Sequence, residues 1–257
     1  MTSRAAHGTL HTLGGDIEAT WQVPEEVPIA LLFNSQNHAV MMATPADFED
    51  FAIGFAFAEG IIAKASDVSG ILVLSSEQGY AVDLSVAEGK LNTSRMARRT
   101  LEGRTGCGLC GIEDIKDAIR MPGHAVPTVE LGAQAVARAY EQLPAHQPMS
   151  RINRTVHAAA WCSVDGSILQ SREDVGRHNA LDKLIGALAR GGADLASGFV
   201  LMSSRCSFEL VQKCAIAGIG ALATVSAPTA LALTLARQAH LKLAALSSRG
   251  VMIFDQE

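Results

Sequence analysis

Residues 199–246 alternate strand and helix patterns, and this stretch decides the fold class. Apolar strand patterns stand at FVLM (199–202), ALATV (221–225) and KLAAL (242–246). Between them, FELVQKCAI (208–216) and TALALTLARQA (229–239) carry the apolar spacing of buried helices. Such alternation predicts a layered α/β domain with crossover connections between its strands.

The alternation extends to both sides of this stretch. Upstream, the pattern predicts a helix over 131–143, a loop over 144–148, strands over 156–164 and 168–170, and a helix over 180–188. Downstream, it predicts a last strand over 251–254. The C-terminal part of the chain is therefore expected to form one α/β domain.

The N-terminal part has a different pattern. Short strand signals, at 17–21, 29–33, 39–42, 71–74 and 80–86, surround a single helix that runs from about Phe48 to Gly60. Thr44-Pro45-Ala46-Asp47 precedes that helix, and we expect the Thr44 hydroxyl to cap it. The whole chain is thus predicted to be α+β. Residues 1–100 form a small α+β domain, 101–122 a cysteine-containing loop with a short helix over 112–120, and 123–257 the α/β domain.

Composition excludes several classes of protein. The chain has 257 residues, of which 48% are hydrophobic and 18% charged, which argues against disorder. Its net charge of −5 excludes an extended, uniformly basic nucleic-acid binder. The charge is divided, however: the first 89 residues carry −10 and the remainder +5, and 15 of the 21 basic residues are Arg. A small anionic ligand is therefore compatible with the sequence.

Two further features indicate a cytosolic protein. Five Cys, only two of them closely spaced, do not form the pattern of a secreted disulfide framework. The first residues contain no apolar segment of a signal peptide. Residues 214–236 carry no charge, but Ala, Gly, Ser and Thr dominate them, so we interpret them as a helix end, a strand and a second helix rather than a membrane span.

The motif Gly106-Cys107-Gly108-Leu109-Cys110-Gly111 is the strongest chemical signal. Two intervening residues allow both sulfurs to lie on one side of a tight turn. From spacing alone, four interpretations stay open: a redox dithiol, half of a zinc site, a single nucleophile or sulfur carrier with a helper, and a structural pair. Zinc would require two more ligands, and Cys206 and Cys214 lie in segments with the pattern of buried core.

Three other polar segments are candidates for ligand contact. The dense run from Glu173 to Lys183 is interpreted either as a capped, solvated helix end or as a polar site. Ser203–Ser207 and Ser226–Thr229 each follow a predicted strand and precede a helix, so they are expected to line one crevice at the sheet edge. Ser247–Gly250 has the composition of a solvated hairpin turn.

Taken together, several motifs resemble a known family. These are Glu59-Gly60-Ile61-Ile62, Cys107-Gly108-Leu109-Cys110-Gly111, His157-Ala158-Ala159, the run from Glu173 to Gly186, and Ser226-Ala227-Pro228-Thr229. In this order they resemble the FdhD family of formate dehydrogenase accessory sulfurtransferases over nearly the whole chain. The resemblance implies a cytoplasmic homodimer whose C-terminal domain has the three-layer α/β/α fold of cytidine deaminases.

The resemblance also implies a chemistry. Cys107 would accept sulfur from a cysteine desulfurase and pass it to the molybdenum bis(molybdopterin guanine dinucleotide) cofactor destined for formate dehydrogenase. Cys110 would receive, shield or resolve that sulfur. The turn Leu246, Ser247, Ser248, Arg249, Gly250 and Val251 is the first choice for cofactor contact, where a guanine nucleotide is expected to bind as well. Arg177, His178 and Ser203–Ser207 are the second choice, and no metal ion, nucleic acid or membrane is expected as a ligand.

Two rival functions stay open at this stage. A cofactor-binding chaperone would hold the molybdenum cofactor without transferring sulfur, but binding alone requires no paired thiols. A zinc deaminase would require His-x-Glu and Pro-Cys-x-x-Cys, whereas His157 is followed by Ala158-Ala159 and Cys206 stands alone. Sulfur transfer is therefore the prediction.

Overall fold

The computed structural model of the chain describes residues 1–97 and 126–255. Its N-terminal unit contains a hairpin, a four-stranded sheet and a helix packed on that sheet. The hairpin strands are β1 (Ser3–Thr12) and β2 (Gly15–Pro24). The sheet strands are β3 (Val27–Phe33), β4 (Gln36–Ala43), β5 (Val68–Ser76) and β6 (Gly79–Val86), in the order β4-β3-β6-β5. The helices are α1 (Phe48–Ala58) and the short α2 (Thr93–Ala97).

The C-terminal unit alternates strands and helices around a six-stranded sheet. Its helices are α3 (Ala133–Gln142), α4 (Pro148–Asn153), α5 (Arg177–Gly191), α6 (Phe208–Ile216) and α7 (Ala230–Gln238). Its strands are β7 (His157–Ser163), β8 (Ile168–Asp174), β9 (Gly198–Met202), β10 (Ala221–Thr224), β11 (Lys242–Ser247) and β12 (Gly250–Phe254). The sheet order is β12-β11-β10-β9-β7-β8, with β9, β10 and β11 parallel.

Alternate residues of the six-stranded sheet face two separate cores. Trp161, Val200 and Leu222 pack with the buried residues of α5, α6 and α7, whereas Phe199 and Leu201 pack on the other face with α3. Period-two alternation in the strands explains this division. The unit therefore has three layers, and the predicted α/β architecture with parallel crossover connections is confirmed.

The two units meet where α1 crosses α5, and two glycines permit the close approach. A Cβ atom on Gly54 would overlap the backbone carbonyl of Asp182, and one on Gly186 would overlap that of Asp50. Ion pairs flank the crossing. Asp50 accepts hydrogen bonds from Arg172 at 2.7 Å and from Arg190 at 2.6 Å.

Some local predictions are wrong. Thr44 does not cap α1; the residue before the helix is Asp47, with φ of 54° and no capping hydrogen bond, and the Thr44 hydroxyl accepts instead from Val175 N at 3.0 Å. The loop expected over 144–148 is a 3₁₀ turn that leads into α4. The strand β1 was not predicted, because its Ala, Gly, His and Thr residues lack an apolar alternation.

The prediction for residues 214–236 is confirmed, and the one for residues 112–120 concerns a part of the chain that the structure does not describe. Residues 214–236 form the end of α6, the strand β10 and most of α7, as expected. None of the helices in the described parts of the chain is long and apolar enough to cross a membrane. The helix predicted over 112–120 lies outside the described residues.

Candidate functional site

Cys107 and Cys110 lie outside the described residues, and the other three cysteines are buried. Cys162, Cys206 and Cys214 are free thiols in the two cores of the C-terminal unit. Burial raises the pKa of Cys162 and of Cys206 to about 12, and it raises the pKa of Cys214 further. These three side chains are therefore protonated and unreactive at neutral pH.

The segments that follow β9 and β10 meet at one edge of the sheet, as predicted, and we call this edge the crevice. The segment after β9 and the segment after β10 lie side by side: Cys206 pairs with Pro228, and the Cys206 carbonyl accepts a hydrogen bond from Thr229 N at 3.1 Å. Ser203 closes the crevice towards β7, because its hydroxyl accepts from Ala158 N at 2.8 Å. The N-termini of α6 and α7 lie at this edge, and the partial positive charge of a helix N-terminus favours anions.

Positively charged side chains surround His157 at the same edge. Burial lowers the pKa of His157, and the neighbouring Arg177 and Arg205 guanidinium groups lower it further, whereas Asp174 raises it. Arg177 and Arg205 make no ion pair or side-chain hydrogen bond with any residue in 1–97 or 126–255. Two guanidinium groups without a partner among the described residues, beside a neutral imidazole, are suited to bind phosphate oxygens. We call Arg177, Arg205 and His157 the arginine cluster.

Glu209 places a carboxylate near this cluster. Its Oε2 lies 3.8 Å from His178 Nε2, and both atoms, together with Ser207 Oγ, are buried without a hydrogen-bond partner among the described residues. Burial alone would raise the pKa of Glu209, but its interactions with His178 and Ser207 outweigh burial and lower the pKa to about 2. Glu209 is therefore ionised beside the His178 ring. Glu209 is not among the residues predicted from the sequence, because an acid in the first turn of a helix is common.

Much of the run from Glu173 to Lys183 is structural. Glu173 accepts hydrogen bonds from Met149 N and Ser150 N, each at 2.8 Å, and so holds the start of α4. Asp174 and Lys183 form a fully buried ion pair of 2.7 Å. Asn179 donates to Asp174 at 3.0 Å and to the carbonyl of Met42 at 2.8 Å. Within the run, Arg177 and His178 lie near His157. The solvated-helix interpretation does not describe the buried remainder.

The turn from Leu246 to Val251 joins β11 to β12 at the same edge of the sheet. β11 runs parallel to β10, with Thr224 opposite Ala245, so both strands end at the edge that carries the crevice. Within the turn, Ser247 Oγ donates to the carbonyl of Gly250 at 3.0 Å and accepts from Arg249 N at 3.2 Å. Ser247, Ser248 and Arg249 are exposed. Arg249 therefore extends from a hydrogen-bonded turn with its guanidinium open to a ligand.

The described parts of the chain contain no group of three or more His, Cys, Asp or Glu side chains placed to hold a metal ion. His157 opens the strand β7, and His178 lies at the start of α5. Arg177 and Arg205 thus lie at one edge of the sheet, and Cys107 and Cys110 lie between the two units in the sequence.

Comparison with known proteins places this chain in a family. Residues 24–255 match the model of the FdhD/NarQ family. The sulfur carrier protein FdhD of Chromobacterium violaceum is 49% identical over 254 residues, covering 97% of this chain and 93% of that protein. The sulfur carrier protein FdhD of Cupriavidus necator is 48% identical over 232 residues, covering 90% and 81%.

The fold also matches a solved structure. A crystal structure described as a formate dehydrogenase accessory protein, from Desulfotalea psychrophila, superposes with a TM-score of 0.79 at 23% identity. The superposition covers 99% of this chain and 97% of that one. At that identity the likeness establishes a common fold. With the family match and the two close relatives, it shows that the chain belongs to the FdhD/NarQ family.

Proposed function

We propose that this chain is a sulfur carrier that accepts a persulfide sulfur on Cys107 and delivers it to the molybdenum bis(molybdopterin guanine dinucleotide) cofactor of a formate dehydrogenase. The relatives that share almost half of its residues are named sulfur carrier proteins. The donor is a cysteine desulfurase, the protein acts in the cytoplasm, and the working unit is a homodimer.

One observation carries the choice of cysteine. The chain has five Cys, and three of them are buried thiols whose raised pKa values keep them protonated. Sulfur exchange requires a thiolate, so Cys107 and Cys110 are the two that remain. Gly106 and Gly111 flank this pair, and Gly108 follows Cys107 directly.

The loading step balances without an additional redox partner. The Cys107 thiolate attacks the outer sulfur of the donor persulfide, forms a new sulfur–sulfur bond and breaks the donor's own. The donor leaves as a thiolate, and Cys107 becomes the persulfide. The carrier then presents that outer sulfur to the molybdenum cofactor, which is its substrate.

The cofactor is proposed to bind along the sheet edge. The turn from Leu246 to Val251 contacts a guanine dinucleotide arm, with Arg249 as its charged group. The arginine cluster and the helix N-termini beside it supply the sites for phosphate oxygens. A free guanine nucleotide should therefore bind to the protein without the molybdenum.

Mass spectrometry tests the sulfur step. After incubation with a cysteine desulfurase and cysteine, the peptide that contains Cys107 should gain the mass of one sulfur atom. Cys107→Ala should abolish this gain, and Cys162→Ala, which removes a buried thiol, should leave it intact. If Cys107→Ala still carries the sulfur and still activates formate dehydrogenase, the carrier function is wrong. Full activation by a Cys107→Ser/Cys110→Ser double variant would indicate a binding chaperone instead.

Titration with guanosine diphosphate tests the cofactor site. Arg249→Ala should weaken nucleotide binding about tenfold, the loss of one charge-assisted contact, and leave sulfur loading of Cys107 unchanged. Arg237→Ala is the matched control, because Arg237 is an exposed residue in the last turn of α7, away from this edge. Unchanged affinity in Arg249→Ala would remove the turn from the site.

A further inference from the structure

Three buried polar atoms lie together at the crevice. They are His178 Nε2, Ser207 Oγ and Glu209 Oε2, and none of them makes a hydrogen bond with residues 1–97 or 126–255. The first and the last are 3.8 Å apart, which is too far for a hydrogen bond. Buried polar atoms almost always have a partner, so these three are expected to bind a molecule from outside the described chain. We call His178, Ser207 and Glu209 the polar pocket.

Ser207 has the position of a helix cap but does not act as one. It directly precedes α6, where a serine hydroxyl ordinarily accepts a hydrogen bond from an amide of the first turn. The Ser207 hydroxyl makes no such bond. It lies near the Glu209 carboxylate instead and helps to lower the pKa of Glu209. The hydroxyl is therefore directed into the polar pocket and not at the helix.

The Glu209 carboxylate requires hydrogen-bond donors. It is ionised, because its pKa is lowered to about 2, and the side chains of His178 and Glu209 are only 8% and 12% exposed. Lys213, the cation one turn further along α6, is already bound to Asp182 at 2.8 Å. An ionised carboxylate accepts about four hydrogen bonds, and a buried one without donors is costly. The pocket therefore favours a ligand that presents N–H groups.

The arginine cluster lies directly beside the polar pocket. Arg177 precedes His178 in the chain, and Arg205 stands two residues before Ser207. The two guanidinium groups are suited to phosphate oxygens, whereas the pocket between α5 and α6 is suited to neutral N–H and carbonyl groups. A ligand that carries a polar ring at the end of a phosphate chain would occupy both.

The chemistry of the pocket selects one kind of ring edge. A carboxylate accepts from two neighbouring N–H groups of a planar ring, and a serine hydroxyl or an imidazole N–H donates to a carbonyl oxygen next to them. The 2-amino-4-oxopyrimidine edge presents an amino group, a ring N–H and a carbonyl in this order. Guanine and pterin both have this edge. Adenine has an unprotonated nitrogen in place of the ring N–H, and its lone pair would repel the carboxylate.

We propose that Glu209, with Ser207 and His178, recognises the 2-amino-4-oxopyrimidine edge of a ring whose phosphates lie on the arginine cluster. Glu209 accepts from the amino group and the ring N–H, while Ser207 and His178 donate to the carbonyl oxygen. This inference rests on the cofactor site of the proposed function and adds the residues that select its ring. It uses no part of the sulfur chemistry.

Calorimetric titration of the full chain with guanosine diphosphate (GDP) and inosine diphosphate (IDP) tests the pocket, because IDP lacks only the amino group. Wild type should bind GDP at least tenfold more tightly than IDP, the effect of one hydrogen bond to a charged group. Glu209→Gln should weaken GDP binding at least tenfold and bring the two affinities together. Glu141→Gln should change neither affinity, since Glu141 is an exposed carboxylate of α3 on the other face of the sheet.

The sign of the Glu209→Gln effect separates recognition from simple electrostatics. Removing a negative charge beside the arginine cluster would by itself strengthen the binding of a phosphate. Weaker GDP binding in this variant, with little change for IDP, therefore reports the loss of contacts to the ring. Circular dichroism checks that the variant is folded, and the comparison of GDP with IDP in wild type requires no substitution at all.

Titration with 6-hydroxymethylpterin distinguishes the two sources of the ring edge. If GDP and IDP bind wild type equally, but the pterin binds and Glu209→Gln weakens it at least tenfold, the pocket recognises pterin. The inference is wrong if Glu209→Gln weakens neither GDP nor the pterin, or if it weakens GDP and IDP by the same factor. Sulfur loading of Cys107 and the Arg249→Ala titration report on the proposed function separately.

Discussion

Thr44 joins the two units of the molecule through three of its atoms. Its amide donates to Asp174 at 2.9 Å, its hydroxyl accepts from Val175 N at 3.0 Å, and its carbonyl accepts from the Lys183 ammonium at 3.0 Å. The ion pair between Asp174 and Lys183 is completely buried, so each charge depends on the other and on Thr44 for compensation. We call these residues the Thr44 latch.

Removing one charge of the latch should destabilise the protein strongly. Lys183→Met leaves Asp174 buried without its partner, and we expect the free energy of unfolding to fall by about 3–5 kcal/mol. Urea denaturation followed by circular dichroism measures this change. Lys242→Met is the control: its partner, Glu130, is 3.7 Å away and exposed, so the free energy should change little. Equal effects of the two substitutions would show that the latch is not a source of stability.

A second prediction at the scale of single residues concerns the pKa of His157 in the arginine cluster. Because the charge of Arg205 helps to lower the pKa of His157, Arg205→Gln should raise that pKa towards its ordinary value. Burial, the larger cause, should keep it below that value. Proton NMR titration measures the pKa, and loss of the signal in His157→Asn assigns it among the eight His of the chain. Arg237→Gln should leave the pKa of His157 unchanged. If Arg237→Gln raises that pKa as much as Arg205→Gln does, the change does not depend on the arginine cluster.

At the scale of elements, the sequence predicted most helices and strands of the two sheets and failed where a distant partner decides. The alternation over 199–246 predicts β9, β10 and β11, because a buried parallel sheet requires apolar runs of this length. Thr44 next to Pro45 resembles a helix cap, but its hydroxyl binds Val175, which is 131 residues away. No local pattern contains that information.

The sequence predicts the candidate site only in part as well. The crevice could be predicted, because strand-to-helix segments on neighbouring parallel strands meet at one edge. The role of each residue in the run from Glu173 to Lys183 could not, because a buried latch and a ligand site use the same residue types. The pairing of His178 with Glu209 depends on how α5 and α6 pack. The spacing of residues along the chain does not determine how these two helices pack.

The crossing of α1 over α5 yields a prediction about helix packing. Gly54→Ala places a methyl group against the carbonyl of Asp182, and the helices must separate to admit it. We expect a loss of about 1–3 kcal/mol in the free energy of unfolding, the typical cost of overpacking. Gly191→Ala is the matched control in α5, since a Cβ there meets nothing within 4 Å, and it should be neutral or stabilising. A neutral Gly54→Ala would mean that the crossing is loosely packed.

At the scale of the whole molecule, the N-terminal and C-terminal units are joined too tightly to unfold separately. Three sets of contacts connect the N-terminal unit to the C-terminal unit. They are the Thr44 latch, the glycine crossing, and the pairs of Asp50 with Arg172 and Arg190. Lys213 adds another connection, because it binds Asp182 of α5 at 2.8 Å and lies 3.5 Å from Glu59 at the end of α1. Unfolding of one unit alone would remove these contacts from the other unit and expose its packed boundary to water.

We therefore expect one cooperative unfolding transition that involves both units. Hydrogen exchange in increasing urea should show the amides of β3 and those of β9 converging on the same free energy of opening. Gly54→Ala should lower both values equally, because the substitution loosens the crossing that joins the units. Protection that is lost in β3 at a distinctly lower urea concentration than in β9 would contradict this. In that case the N-terminal unit would be an independent domain, and the buried ion pairs between the units would contribute nothing to its stability.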